Sequence, residues 1–394
     1  MDFINTAFNR QNWPDVASPF WVVVLFVFGS MVGSFLNVCI YRMPRDLSVI
    51  RPRSHCPKCG YSIPWFLNIP IITWLSLRGK CKNCGEPISI RYLMVEVFTG
   101  LTFATAWAVI APRSIGLAIA YCVILGAFIV ATLIDIEHFI IPDEITIGGI
   151  VVGFLFSAAV PQLHNTLSRP GAMRASFWGI AIGGGLVYLI LRAGKMAFGK
   201  EKMELAADTP VTFTETSLKL PDKEFPYEEI FYRKSDYVRL LAKTVEVHFP
   251  EGSELSDRCY WNTVVTLTPE QLKIGEETFN PEQVPQMNVV TSEMVLPREA
   301  MGFGDVKFMA AIGAFLGWQA AIFALMFSAV IGTVVSVGAI AIRRVEWSSR
   351  IPYGPYIAVA TVIYMFLPLE QQNTWRNYLS VFTQMLPWSN NRLF

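Results

Sequence analysis

The sequence predicts a polytopic α-helical membrane protein of about eight transmembrane helices, with a cytoplasmic four-Cys loop and a small soluble β-rich insert. Three observations lead there. Apolar residues make up 53% of the 394-residue chain and charged residues 16%, with a mean hydropathy of +0.41; soluble proteins carry about a quarter charged residues. The apolar residues gather into long runs, so the solvent for much of the chain is lipid. The charges are segregated: residues 42–92 hold nine Lys/Arg against two acids, residues 195–297 hold eleven against eighteen, and the other 240 residues carry 23 charges. The net charge of +1 is therefore a cancellation, and nothing in it suggests a nucleic-acid partner.

A spanning helix takes about 20 largely apolar residues. Residues 1–41 supply an N-terminal segment, with Asp2, Arg10 and Asp15, and a first uncharged span, Phe20–Tyr41. No A-x-A-like site follows that span, which reads as an uncleaved anchor rather than a signal peptide. Residues 93–194 supply four more spans: Leu93–Ala111, Ile115–Ile134, about Ile145–Val160, and Ser176–Leu191. In 298–369, the run Val306–Ile342 is too long for one helix and breaks at Gly317–Trp318, and a last span runs from Gly354 to Leu369. Residues 370–394 are a C-terminal tail. The basic loop 42–92 lies in the cytoplasm by the positive-inside rule, which puts both termini outside and 135–144, 195–305 and 343–353 inside. Arg343, Arg344 and Arg350 agree with this orientation; Arg169 and Arg174 oppose it. Gly148, Gly149, Gly153 and Gly183–Gly185 do not follow a strand, and read as close helix contacts rather than a ligand loop.

Within the basic loop, Cys56, Cys59, Cys81 and Cys84 form C-P-K-C, 21 intervening residues, then C-K-N-C. Two such knuckles are a tetrahedral zinc pattern, because each pair of thiolates grips one side of the ion. A redox dithiol or disulfides are the alternative, and a reducing cytoplasm disfavours them. Four thiolates close the coordination shell, so the metal's role is structural. The apolar stretch from Trp65 to Ile72 packs on the membrane, lines a pocket, or forms the core of a zinc module. Cys39 and Cys122 fall in spans and read as packing residues; Cys259 carries no signal.

Acids in or beside spans are expensive and mark functional candidates. Here they are Glu96, Asp135, Glu137, Asp143, Glu144 and Asp305. Asp135 closes an apolar run, and Asp305 closes Gly302-Phe303-Gly304-Asp305 and opens one. Two carboxylates in one low-dielectric site share a proton, so one serves as base on a water while the other donates to a carbonyl. Spacing alone leaves open this aspartic-protease chemistry, a transporter's proton relay, and structural acids.

The order of several motifs narrows the choice: Gly33-Ser34-Phe35-Leu36-Asn37-Val38 with Tyr41-Arg42; both Cys knuckles around Trp65 and Asn68-Ile69-Pro70-Ile71; and Leu77-Arg78-Gly79-Lys80-Cys81. Arg91-Tyr92, Val95-Glu96, Thr99, Ile134-Asp135-Ile136, Ile141-Pro142-Asp143, Gly302–Lys307 and Ile351-Pro352-Tyr353-Gly354-Pro355 continue it. Over roughly 30–195 and 298–369 the chain resembles the bacterial type IV prepilin peptidases, membrane aspartic proteases of the GxGD type. The resemblance implies an enzyme of the bacterial inner membrane that cuts the short basic leader from prepilins and pseudopilins at the cytoplasmic face. It implies further that the new N-terminal residue, usually Phe, is methylated with S-adenosylmethionine. The catalytic pair falls on Asp135 and Asp305, with Asp143, Gly302, Gly304 and Lys307 in support. The four-Cys loop belongs to the methylating members. Gly79, Lys80 and Glu96 are candidates for the methyl-donor site, Glu96 being equally readable as a buried structural acid. Partners implied are the proteins of pilus or type II secretion assembly. A peptidase lacking methyl transfer, and a transporter with a regulatory zinc module, are the competing readings. Residues 195–297 depart from the family pattern: strand-like alternation at Thr244–Phe249 and Thr263–Thr268 predicts a small β-rich cytoplasmic domain, either inert or a docking module.

Overall fold

In lipid every backbone N–H and C=O must be satisfied within its own segment, so long apolar runs become helices. The computed structural model describes residues 16, 18–64, 68–198, 200–221, 224–231, 236–249, 256–297, 302–342 and 351–385. The N-terminal flank with Asp2, Arg10 and Asp15, the segment Trp65-Phe66-Leu67, and Arg343, Arg344 and Arg350 lie outside the described residues. The chain divides into two compact units, one of Met1–Tyr188 with Gly302–Phe394, the other of Leu189–Met301.

The helices of 13 residues or more are α1 Pro19–Arg42, α2 Ile90–Ile110, α3 Ile115–His138, α4 Asp143–Ala159, α5 Arg169–Phe198, α6 Phe303–Leu316, α7 Trp318–Ala341, α8 Gly354–Phe366 and α9 Leu369–Met385. Five of them (α1, α2, α3, α5 and α7) are long and apolar enough to cross a membrane. The other three predicted spans are shorter helices, α4, α6 and α8, of 17, 14 and 13 residues. At 1.5 Å per residue these are about 26, 21 and 20 Å long, less than the roughly 30 Å hydrocarbon core. α6 stops where the sequence predicts the break, because Gly317 takes φ +82 and turns the chain into α7. The predicted tail is helical through Met385, and Trp375 of α9 fastens it by donating from Nε1 to the Gln319 carbonyl at 2.9 Å.

Glycines set the helix contacts. A Cβ on Gly33 of α1 would sit 2.8 Å from the Cα of Glu96, and one on Gly100 of α2 would sit 2.4 Å from the Ser30 hydroxyl. Around α6, Gly149, Gly153, Gly183 and Gly184 meet neighbours as expected, whereas Gly148 and Gly185 face open space. α1 turns Val23, Val27, Met31 and Phe35, spaced four apart, outward at 51–62% exposure. An apolar stripe of that extent has lipid as its solvent.

The second unit is an eight-stranded antiparallel sheet in the order β3-β2-β1-β8-β4-β5-β6-β7. Its strands are β1 Lys200–Thr214, β2 Ser217–Lys219, β3 Glu224–Pro226, β4 Val238–His248, β5 Arg258–Leu267, β6 Leu272–Ile274, β7 Glu277–Phe279 and β8 Gln286–Pro297. The two predicted alternating runs fall on β4 and β5. Alternation puts Val211, Leu240, Val245, Val265, Met287 and Met294 in one core. Strands β1 and β8 pair end to end, from Lys200 opposite Pro297 to Thr214 opposite Gln286.

Candidate functional site

Each cysteine knuckle is a tight loop that repeats the other. In both, a glycine follows the second cysteine with positive φ (Gly60 at +69, Gly85 at +73), and its N–H bonds back to the carbonyl of the first cysteine. The chain then returns: Cys56 N–H donates to Tyr61 and Cys81 N–H to Glu86. An ion pair between Lys58 and Glu86 links the two loops. The four sulfurs lie within 4.8 Å of one another, and the Cys56 and Cys84 sulfurs are 3.8 Å apart. Four thiolates at the usual zinc–sulfur length of about 2.3 Å would stand about 3.8 Å apart, so the cluster suits zinc. The Tyr61 N–H and the Asn83 side chain pull the Cys59 thiol down to about 6, and backbone N–H groups of Cys84 and Asn83 lower Cys81 as well. Such donors favour the thiolates that a metal needs.

Beneath the knuckles lies a cavity of about 320 Å³, lined mainly by apolar and aromatic groups including Ile69, Trp74 and Tyr92. Three buried polar residues also line it. Asn37 donates to the Tyr92 carbonyl at 3.0 Å, and Arg42 donates to the Ser48 and Pro52 carbonyls at 2.8 Å each. Glu96 accepts the Ile71 N–H at 2.7 Å. Gly79 and Lys80 are not among the lining residues. Gly79 acts at one remove: it takes φ +65, and a Cβ there would sit 2.8 Å from the Trp74 ring. Lys80 is exposed and its backbone bridges to Pro87.

Asp135 and Asp305 are 5% and 7% exposed and lie within electrostatic reach of one another, in the last turn of α3 and the first turn of α6. α8 points its N-terminus at the first of them, and the Gly354 N–H donates to Asp135 Oδ2 at 2.9 Å. Ile141 stands against both motifs. Its side chain would be 3.1 Å from a Cβ on Gly354 and 3.4 Å from one on Gly304. Gly302 caps α6, its carbonyl accepting the Asp305 N–H at 3.2 Å. Neither Gly302 nor Gly304 has positive φ, and of the two only Gly304 has another segment, at Ile141, beside it. Asp143 and Lys307 pair with each other, tying the start of α4 to α6. Gly354 and Arg42 were not singled out from sequence as site residues. For Gly354 the available signal is a P-Y-G-P stretch opening an apolar run.

A family profile described as Bacterial Peptidase A24 N-terminal domain matches residues 27–110, and one described as Type IV leader peptidase family matches 122–207 and 286–337. A prepilin leader peptidase/N-methyltransferase of Aeromonas hydrophila is 26% identical over 362 residues, spanning 86% of this chain and 87% of that protein. Its namesake from Neisseria gonorrhoeae is 33% identical over 224 residues, 49% of this chain and 74% of that protein. The Myxococcus xanthus (strain DK1622) protein of the same name is 38% identical over 201 residues, and the alignment spans 58% of its length. No solved structure matches the chain. With its N-terminal and peptidase regions both matched, the chain belongs to the type IV leader peptidase family.

Proposed function

We propose that the protein is a prepilin peptidase and N-methyltransferase of the bacterial inner membrane. It removes the leader of prepilins or pseudopilins at the cytoplasmic face and methylates the new N-terminal residue. The reading includes eight spans, with α4, α6 and α8 as short ones. The observation that carries it is the convergence of Asp135 and Asp305, from separate helices, at one buried locus into which α8 directs a backbone N–H.

The helix N-terminus and the Gly354 N–H favour negative charge on Asp135. Asp135 is therefore the base that takes a proton from the attacking water, and Asp305 the acid that donates to the scissile carbonyl oxygen. When the tetrahedral intermediate collapses, the proton on Asp135 passes to the leaving amine. The ion pair of Asp143 and Lys307 holds α4 against α6 while this happens. Cys56, Cys59, Cys81 and Cys84 would hold a zinc ion, which would crosslink the two knuckles beside the cavity. S-adenosylmethionine would supply an activated methyl group, and the cavity lined by Trp74 and Tyr92 is the site we assign to the transfer.

The test is incubation of the purified protein with a prepilin and labelled S-adenosylmethionine, scoring cleavage and label together. Asp135→Asn and Asp305→Asn each abolish cleavage while the protein remains inserted. Retained cleavage in either variant refutes the dyad, and an unmethylated product refutes the transferase half.

A further inference from the structure

Glu96 still lacks a role. It is 8% exposed, accepts a hydrogen bond from the Ile71 N–H at 2.7 Å, and pairs with no Lys, Arg or His among the described residues. A buried carboxyl group without a counter-cation takes a proton or meets a cation, and the cavity beside Glu96 leaves room for one. Glu96 opens on the cavity of about 320 Å³, at the lower end of ligand pockets, which run from about 300 to 1,000 Å³. The ligand that fits is a small cation carried on an aromatic or apolar group.

Depth decides where that cation comes from. Glu96 lies six residues into α2, about 9 Å along the helix axis. Its neighbours Met94 and Phe98 are 60% and 59% exposed, so α2 presents an apolar outer surface at this level. At its other end the cavity meets Lys82 and Glu86 of the exposed loop. A water-borne solute enters beside the loop. An amine delivered on an apolar membrane helix would arrive on the side of α2 that exposes Met94 and Phe98, beside Glu96.

We propose that Glu96 receives the α-amine freed by cleavage, and that the cavity seats the first side chain of the mature pilin. This rests on the transferase reading above. The carboxylate binds the α-ammonium and takes one of its protons as the N–H bond breaks. The freed lone pair then forms the N–C bond to the donor's methyl while the C–S bond breaks, its electron pair leaving on the formerly cationic sulfur. Glu96 is a catalytic residue of methylation and takes no part in cleavage.

Glu96→Gln is the discriminating variant, because the amide keeps a carbonyl to accept the Ile71 N–H and removes only the charge. Without any methyl donor, a fluorescent peptide of a mature pilin N-terminus binds the full-length wild type at least about tenfold more tightly than its N-acetylated form. Glu96→Gln erases that preference and leaves binding of the acetylated peptide unchanged. Methylation of pre-cut pilin falls about 100-fold in the variant. Cleavage of prepilin, carried out by the aspartates, reports that the variant is folded. Should the variant not fold, a wild-type measurement remains: a peptide with benzoylphenylalanine at its first position cross-links to residues lining the cavity, such as Val38, Tyr41, Ile63, Ile69 or Tyr92. Cross-linking elsewhere overturns the assignment, as does a folded Glu96→Gln that still prefers the free amine and methylates normally. Loss of affinity for S-adenosylmethionine alone, with peptide binding intact, also overturns it, because the carboxylate would then serve the donor's own ammonium. If the wild type transfers no methyl group, the transferase reading itself fails.

Discussion

One hydrogen atom in place of a methyl group lets α8 reach the Asp135 carboxylate. A Cβ on Gly354 would lie 2.8 Å from Asp135 Oδ2 and 3.1 Å from Ile141, and the N–H it shields bonds that same oxygen at 2.9 Å. In Gly354→Ala either the carboxylate or the helix must shift, at about 1–3 kcal/mol for a methyl forced into a packed site. Carried into the transition state, that is roughly a 5- to 150-fold loss of cleavage. Methylation of pre-cut pilin by the same variant stays at the wild-type rate, since Gly354 is not among the residues lining the cavity. A variant with full cleavage would show that the contact relaxes freely. The sequence singles out the two aspartates because a charge interrupting an apolar run is expensive, and the fold brings both to one buried locus. It does not single out Gly354, whose value lies in what approaches it in space. Gly79 shows the same limit: the motif marks it, but only the 2.8 Å approach of Trp74 shows that it shapes the cavity wall.

At the scale of elements, the cysteine loop is the part most fully written in the sequence. Ligand spacing, the glycine after each knuckle and the reversal of the chain are all local, so two short segments suffice to specify it. Its consequence is not local. The knuckles supply Cys56 and Cys81 to the cavity wall while the floor belongs to α1 and α2. Purified protein is therefore expected to carry about one zinc per chain, as a four-thiolate site holds one ion. Chelation should abolish methylation and leave cleavage of prepilin near its starting rate, with re-added zinc restoring the label. Equal loss of both activities on chelation would show that the loop supports the whole membrane unit instead. Helix lengths were less legible. Hydropathy detects an apolar run but not where its backbone bonds end, and Pro142, Gly317 and Pro368 fix the ends of α4, α6 and α8. Two of these short helices, α6 and α8, begin at the aspartate locus, so each brings its N-terminus to a buried carboxylate.

At the scale of the whole molecule, the β unit is an insertion whose own geometry makes it removable. The peptidase profile matches up to residue 207 and resumes at 286, so what it skips lies within this sheet. The sheet has a core of its own, built from Val211, Leu240, Val265 and Met294 among others. Its entry and exit strands are antiparallel partners, with Lys200 directly opposite Pro297. Residues so paired have Cα atoms about 4.5–5.5 Å apart, a gap that a two-residue turn closes. Replacing Glu201–Leu296 with Asn-Gly should therefore leave prepilin cleavage and methylation at wild-type rates in a purified assay. The alternation of β4 and β5 announced the strands, but not that the first and last of them would pair, since that contact joins residues nearly a hundred positions apart. A folded, inserted deletion variant that cuts pre-formed substrate normally in detergent, yet fails to process pilins in the cell, would make the sheet a docking module. Failure in the purified assay would mean instead that the sheet supports the catalytic unit itself.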